Sequence, residues 1–440
     1  MPTPAVPFPW ARCAIAAIAA LASHIQHACA DDAEPCPYTV LVAGTAVPCG
    51  DPFPTTAVLP RGLNNRGEWV GYRDRCGAAE GSYKALLWTP EAGVQELPFP
   101  AGSVSTYAHA INDHGTVIGR RAGVTNGVSH GDWACIWSGG QFIEIPPLGE
   151  CPFHSGATAI NNNGVVVGWR ELTDCSGQGY TLCYGFLWEA GNITHVDPSA
   201  YGFDSAVCTD ISEIGLVVGQ LTALTQESIR GFRLQAGQVE ILEPLPGAIN
   251  SNALGVNDAG LAVGACRFAA VDATGVHYMP TIWAVDGVPQ ALQILDGYSS
   301  SMATNVSNDG LIMGWANKPL HAGLAQKQFV LWFRGVPHAL GDLLGMPSVM
   351  QPAQAWAMND LGEVLCTSGG AQVAPAGSAW IMSPTQRAAD LNGDCRVDGS
   401  DIGLLLQSWG ARGSIAADLD HDGSVDGADL GLLLGAWSGR

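Results

Sequence analysis

The sequence predicts a mainly β chain, a seven-bladed β-propeller with a small α-helical module at its C-terminal end, and three observations predict it. A nine-residue phrase recurs seven times, glycine is abundant at 56 residues while charged residues make up only 13%, and residues 390–440 hold two in-phase copies of one acidic loop. Such a composition favours turn-rich β structure over helical bundles.

The phrase reads as an apolar residue, two turn-forming polar residues, a variable residue, Gly, three mostly apolar residues and Gly. It occupies residues 63–71, 111–119, 160–168, 211–219, 256–264, 306–314 and 358–366, the last ending in Cys366. Its first glycines, Gly67, Gly115, Gly164, Gly215, Gly260, Gly310 and Gly362, are spaced by 48, 49, 51, 45, 50 and 52 residues. A period of about fifty, with a turn signal and β-branched residues in every unit, denotes one small antiparallel sheet per repeat.

Within a unit, Asn or Ser three residues before the first glycine forms an Asx-type or Ser/Thr turn, and the glycine supplies the positive φ of a tight hairpin. The turn joins strand a, with Ala108, Ala157, Ala253, Ala303 or Ala355, to strand b, with Val70, Ile118, Val167, Val218, Val263, Met313 or Leu365. Small residues on an inner strand let blades crowd around an axis. Strand c ends in an apolar pair: Leu87-Trp88, Ile136-Trp137, Leu187-Trp188, Ile282-Trp283 and Leu331-Trp332, with Trp380-Ile381 as a variant and Gly231-Phe232-Arg233-Leu234 in the fourth copy. The recurring Trp residues are expected to pack blade against blade, whereas Trp169 and Trp315, which follow the second glycine, are candidates for a ligand face. A further glycine turn leads into strand d. The seventh unit stops after strand c, so the strand at residues 38–42 is expected to pair into the seventh blade and close the ring.

At the C-terminal end, D-L-N-G-D-C-R-V-D-G-S-D from Asp390 recurs after 28 residues as D-L-D-H-D-G-S-V-D-G-A-D from Asp418. Side-chain oxygens at positions 1, 3, 5, 9 and 12 come from Asp390, Asn392, Asp394, Asp398 and Asp401, then from Asp418, Asp420, Asp422, Asp426 and Asp429. With a backbone carbonyl at position 7 from Arg396 or Ser424, each loop has the ligand set that a hard cation requires, so two calcium sites are expected. Nine carboxylates within forty residues would repel one another without a cation. Acidic turns capping short helices without metal are the competing explanation. Apolar runs from Ile402 to Trp409 and Leu430 to Trp437 follow the loops.

This duplicated unit resembles the dockerin type I module, in which Asp ends each loop as Asp401 and Asp429 do here. The resemblance implies paired calcium loops and helices that plug a secreted protein into a cohesin-like partner, often in polysaccharide breakdown. The chain departs from the pattern at Cys395, where the turn favours Gly, and at the contact positions, which are Gly399-Ser400 and Gly427-Ala428. The seven units resemble the HAF-type repeats of secreted bacterial proteins, in which an I-N-x-x-G-x-V-V-G phrase precedes an A-F-L-W phrase. That resemblance implies a repeat fold and no catalytic chemistry.

Arg12, the apolar run from Cys13 to Ala22 and the small residues Ala28-Cys29-Ala30 read as a secretory signal over residues 1–30. Residues 31–386 then form the propeller and 387–440 the calcium module. A formal charge of −21 argues against nucleic acid or an anionic membrane as partner. Eleven cysteines remain after residue 30, with Cys36–Cys49, Cys135–Cys151 and Cys175–Cys183 as plausible bridges in an oxidising compartment. No nucleophile elbow, phosphate loop, dinucleotide fingerprint or H-E-x-x-H is present. Asn112-Asp113, Asn257-Asp258 and Asn359-Asp360 offer oxygens to a metal, but a turn pair supplies at most two ligands, so a structural turn is expected.

The expected function is a secreted, extracellular or cell-surface binding or scaffold protein without catalysis. It would be assembled through its calcium module onto a cohesin-like or other protein and would offer glycan or protein a binding face on the propeller. One alternative is a hydrolase or lyase acting on the O-glycosyl bonds of polysaccharide, for which two acids from different units should converge at the propeller axis. A structural surface protein that docks to its own kind is the other.

Overall fold

The computed structural model describes residues 38–44, 58–74, 82–125, 128–145, 154–172, 182–224, 228–269, 277–319, 325–343, 352–368, 378–384, 389–392, 397, 399–413, 416–420 and 422–437. The signal segment, and the cysteines at 36, 49, 151 and 175, lie outside them.

Seven four-stranded antiparallel sheets form, one per repeat. Blade 1 is β2 (Val58–Leu63), β3 (Trp69–Asp74), β4 (Tyr83–Thr89) and β5 (Gly93–Glu96), paired in chain order. Blades 2 to 6 repeat that order, beginning at Ser103, Ser155, Ser205, Asn250 and Ser300. Blade 7 takes three strands from the last repeat, β26 (Pro352–Met358), β27 (Val364–Ser368) and β28 (Ala379–Pro384), and its fourth from the other end of the chain, β1 (Tyr38–Val42). Tyr38 lies opposite Pro384 and Val42 opposite Trp380, so the expected closure is present. Closure covers the edge of β28 that would otherwise present unpaired N–H and C=O groups.

The core is divided among the interfaces. Seven apolar clusters lie one between each pair of neighbouring blades; that between blades 1 and 2 contains Val70, Ala108, Val117 and Trp137, and that between blades 7 and 1 contains Ala43, Trp69, Leu365 and Ile381. Trp137, Trp283 and Trp332 are buried there, and their indole N–H groups donate to carbonyls of the preceding blade, Pro98, Glu243 and Gln293, at 3.0, 2.9 and 2.7 Å. Trp380 is out of step with this series. It pairs with Cys366, the place held by Leu86 and Phe186 in blades 1 and 3, while Met382 takes the usual tryptophan position opposite Val364. In blade 4, Arg233 is buried and donates to the carbonyls of Gly260, Ala284 and Val285 in blade 5.

The two glycines of the phrase serve different constraints. The first sits at φ between 71° and 84° in all seven units, the left-handed conformation that the hairpin turn demands. The second allows close approach of backbone. Every inner strand slips register at one shared place, around Arg61, His109, Thr158, Thr209, Leu254, Thr304 and Trp356, and those of blades 2 and 7 slip a second time near their start, the mark of a β-bulge. A carbonyl of the bulged strand then presses on strand b: a Cβ on Gly119 would lie 1.8 Å from the Tyr107 oxygen, and one on Gly264 1.8 Å from that of Asn252.

Two expectations about cysteine are corrected. Cys135 and Cys183 carry free thiols. Cys135 points into the cluster between blades 1 and 2, and burial raises its thiol pKa well above the ordinary value, so it serves as a core side chain and not as half of a bridge.

Deleting residues 38–42 should expose the outer edge of β28 and lower Tm by roughly 10 °C, read by circular dichroism; an unchanged melt would mean the ring does not depend on this strand. Gly119→Ala should cost about 3 kcal/mol by overpacking, against about 1–2 kcal/mol for Gly115→Ala, where only the left-handed backbone objects; denaturant titration of both variants tests that order.

Candidate functional site

The a–b turns of all seven repeats meet at the axis. They line a polar pocket of about 170 Å³ together with the last residues of the inner strands. Its geometry comes from the two turn-forming residues of the phrase.

The first of them closes its own turn. Asn112 Oδ1 accepts from the N–H groups of His114 and Thr116 at 3.2 and 2.9 Å; Asn64 repeats both contacts, and Asn161, Asn257 and Asn359 repeat the second, accepting from Val165, Leu261 and Glu363. Its amide also reaches the neighbouring blade: Asn64, Asn112, Asn161, Asn257 and Asn359 donate from Nδ2 to the carbonyls of Asn112, Asn161, Ser212, Ser307 and Asn64 at 2.9–3.2 Å. Ser212 and Ser307 take this position in blades 4 and 6 and lack an amide to continue the series.

The second residue forms an unbroken ring. The backbone N–H of Asn65 donates to Asp113, Asp113 to Asn162, Asn162 to Glu213, Glu213 to Asp258, Asp258 to Asn308, Asn308 to Asp360 and Asp360 back to Asn65, each to a side-chain oxygen at 2.7–3.0 Å. The turn expected from Asn112-Asp113, Asn257-Asp258 and Asn359-Asp360 is therefore present, and it is also a joint between blades. Sequence reading missed the joint because partners lie 45 to 52 residues apart, with the closing one at 295. The available signal was that the second position is Asn, Asp or Glu in every copy.

Four carboxylates thus meet around the pocket, Asp113, Glu213, Asp258 and Asp360, with the half-buried Asp210 beside them, and no basic side chain is among the described lining residues. Burial, reinforced by Asp258, Asp113 and Asp360, pushes Glu213 up to about 7. Burial likewise raises Asp210 to about 7, with a smaller contribution from Asp360 and Glu213. Asn162 Nδ2 bridges to Asp113 at 2.8 Å and Asn308 Nδ2 to Asp258 at 2.9 Å, which places a donor beside those carboxylates.

Trp169 and Trp315 are half-buried on strand b of blades 3 and 6, which are not neighbours, and do not form one surface. The Trp169 ring lies against Gly156, and Lys327 sits 5.2 Å from the Trp315 ring.

The C-terminal segment has its own core, built from pairs 28 residues apart: Ala389 and Ala417, Val397 and Val425, Leu405 and Leu433. The helices Gly399–Gln407 and Gly427–Gly435 follow the two loops. Asp401 Oδ1 accepts from the N–H groups of Leu391 and Asn392, and Asp429 Oδ1 does the same for Leu419 and Asp420. Asp426 caps the second helix through Ala428 N at 2.8 Å. The carboxylates of Asp418, Asp420 and Asp422 come within 4.8 Å of one another. Asp418 is buried, its Oδ2 accepts from Gly423 N, and its Oδ1 is buried with no hydrogen-bond partner among the described residues. In the first loop Asp390 is buried and Asn392 described, whereas Asp394, Arg396 and Asp398 lie outside the described residues.

No protein-family model and no curated protein matches the chain. Among solved structures it is similar to the β-propeller domain of the Trilobed protease from Pyrococcus furiosus, with 11% identity over 66% of this chain and 82% of that one and a TM-score of 0.44. A virginiamycin B lyase from Staphylococcus aureus gives 12% identity, 74% and 94% coverage and a TM-score of 0.40. Dipeptidyl peptidase 4 from Porphyromonas gingivalis gives 9%, 82% and 60%, and 0.42.

A carboxyl whose pKa is raised on folding contributes most below its unfolded value, and that contribution is lost as pH rises through the folded value. Stability should therefore decline between about pH 4.5 and 7. Glu213→Gln keeps an oxygen for Asn162 and should flatten this decline, melting higher than the parent at pH 8 and no higher at pH 4.

Proposed function

We propose that the protein is a secreted, non-catalytic binding or scaffold protein, whose propeller carries the ligand surface and whose C-terminal module binds calcium and docks it to a partner protein of cohesin type in polysaccharide breakdown. The observation that carries this reading is Asp418, whose buried Oδ1 has no donor among the described residues and stands beside Asp420 and Asp422 in a set of hard oxygens. In the second loop Asp418, Asp420, Asp422 and the Ser424 carbonyl would hold the ion, with Asp426 and Asp429 completing the loop. Asp390, Asn392, Asp394, Arg396, Asp398 and Asp401 are their counterparts in the first. Bound calcium would supply the positive charge that these carboxylates lack.

Docking is supported by the outer faces of the helices. Leu405 and Leu433 turn inward, while Leu406, Trp409, Leu432, Leu434 and Trp437 are each about half exposed, more apolar surface than two short helices need to show water.

The second reading, a polysaccharide hydrolase, is favoured by the carboxylates that converge from different blades at the axis. Each of them, however, accepts a backbone N–H from the preceding blade, so each already serves as an acceptor in closing the ring.

Calorimetric titration of the full chain with calcium should give two sites, and Asp418→Asn should remove one. At a hundredfold excess over Kd, calcium should add about 2.7 kcal/mol per site to the stability of the module. Absence of binding would refute the calcium module and leave the propeller as the functional unit.

A further inference from the structure

Seven repeats give seven equivalent positions at the inner-strand bulge, and the structure sorts them into two groups. In blades 3, 4 and 6 the residue is Thr, and its hydroxyl donates to backbone carbonyls: Thr158 to Val167 and Cys208, Thr209 to Val218 and Ala253, Thr304 to Met313, at 2.8–3.2 Å. Blade 5 has Leu254. A small hydroxyl or an aliphatic side chain therefore satisfies the fold at this place.

Blades 7, 1 and 2 depart from that solution together. There the bulge carries Trp356, Arg61 and His109. The Arg61 guanidinium lies 3.9 Å from the centre of the Trp356 ring and 5.2 Å from that of Tyr72, and its Nη2 donates to the Tyr72 hydroxyl at 2.6 Å. Tyr72 meets Tyr107 and Tyr83 at ring-centre distances of 5.0 and 5.5 Å. Arg120 lies 5.0 Å from the Tyr107 ring, donates from Nε to His109 at 3.0 Å and is paired with Asp132 at 2.9 Å. Arg61 differs from Arg120 in having no carboxylate partner among the described residues, and its Nε is buried with no hydrogen bond. Arg61, Tyr83, Tyr107 and Trp356 remain partly exposed.

We infer that this three-blade patch is a binding site for a uronic-acid oligosaccharide, with Arg61 receiving the sugar carboxylate and the surrounding rings receiving the flat faces of the sugars. A guanidinium held over an indole, as Arg61 is over Trp356 at 3.9 Å, presents a planar fork that can make two parallel hydrogen bonds to a carboxylate. Tyrosines offer an apolar face and a hydroxyl to the same ligand. An extended peptide would look for a regular strand edge to join, and the bulge interrupts that edge in each inner strand. The inference rests on the propeller being the binding domain and does not involve the calcium loops.

The test is a titration of the full chain, in chelator, with trigalacturonate and with a neutral galactose trisaccharide, followed by tryptophan fluorescence and calorimetry. Saturable binding of the acidic sugar is expected, at least tenfold tighter than the neutral one and weakened by salt. Arg61→Lys should lose about tenfold and Arg61→Met nearly all of the binding, with the melting curves of both variants compared with the parent. Equal binding of both sugars, acetate competing as well as the trisaccharide, unchanged binding in Arg61→Met, or no binding at all would each overturn the site. Because chelator is present throughout, such a failure leaves the calcium titration standing, and a failed calcium titration leaves this one standing.

Discussion

The propeller depends on one contact made seven times: a turn N–H of each blade donating to a side-chain oxygen of the next. The geometry of the contact is tangential, so it can only be satisfied everywhere if the chain of donors closes on itself, and Asp360 N to Asn65 Oδ1 at 2.9 Å is the link that closes it. Strand β1 does the same for the sheet of blade 7, at the other margin of the blade. Belt and strand hold the first and last repeats against each other, and each interface then adds its own apolar cluster.

The belt also explains the electrostatics of the axis. The contact asks only for an acceptor oxygen, which Asn, Asp and Glu all supply, and here four of the seven are acids. Asn162 and Asn308 place amides against Asp113 and Asp258. Glu213 accepts the backbone N–H of Asn162 but has Asp258 as its other neighbour in the ring, and it is held near 7 by burial with that carboxylate as the largest charge effect. An acceptor at each of the seven positions follows from how the blades are joined; Asn162, Asn308 and Asn65 meet that need without charge.

The Arg61 patch has the opposite character. Nothing in the joint between blades requires an arginine, a tryptophan and a histidine at the bulge, since threonine and leucine serve there in the other four blades. The repeat architecture departs from its own solution at three adjacent units, and two of the replaced side chains, Arg61 and Trp356, stack on each other, while His109 accepts from Arg120. The C-terminal segment, by contrast, keeps its repeat strictly, with every buried apolar pair and both position-12 aspartates matched at 28 residues.

Much of the architecture was legible in the order of residues because it rests on local rules. The positive φ of Gly67 or Gly115, the Asx turn before it and the small residue on strand a follow from turn chemistry within one hairpin, and their recurrence counted the blades. The unassigned strand at 38–42 and the missing fourth strand of the last unit were two halves of one observation. The reason for the second glycine was not legible, since it is a carbonyl from a bulge that appears only once strand a is paired. Trp380 was misplaced for a related reason, because an apolar pair does not state its register. The axial belt, the free thiol of Cys135 and the meeting of Arg61 with Trp356 join residues tens to hundreds of positions apart. Sequence determined what each repeat is; only the closing of the ring decided which side chains of different repeats share a hydrogen bond, because that depends on the angle between blades and not on any neighbour along the chain.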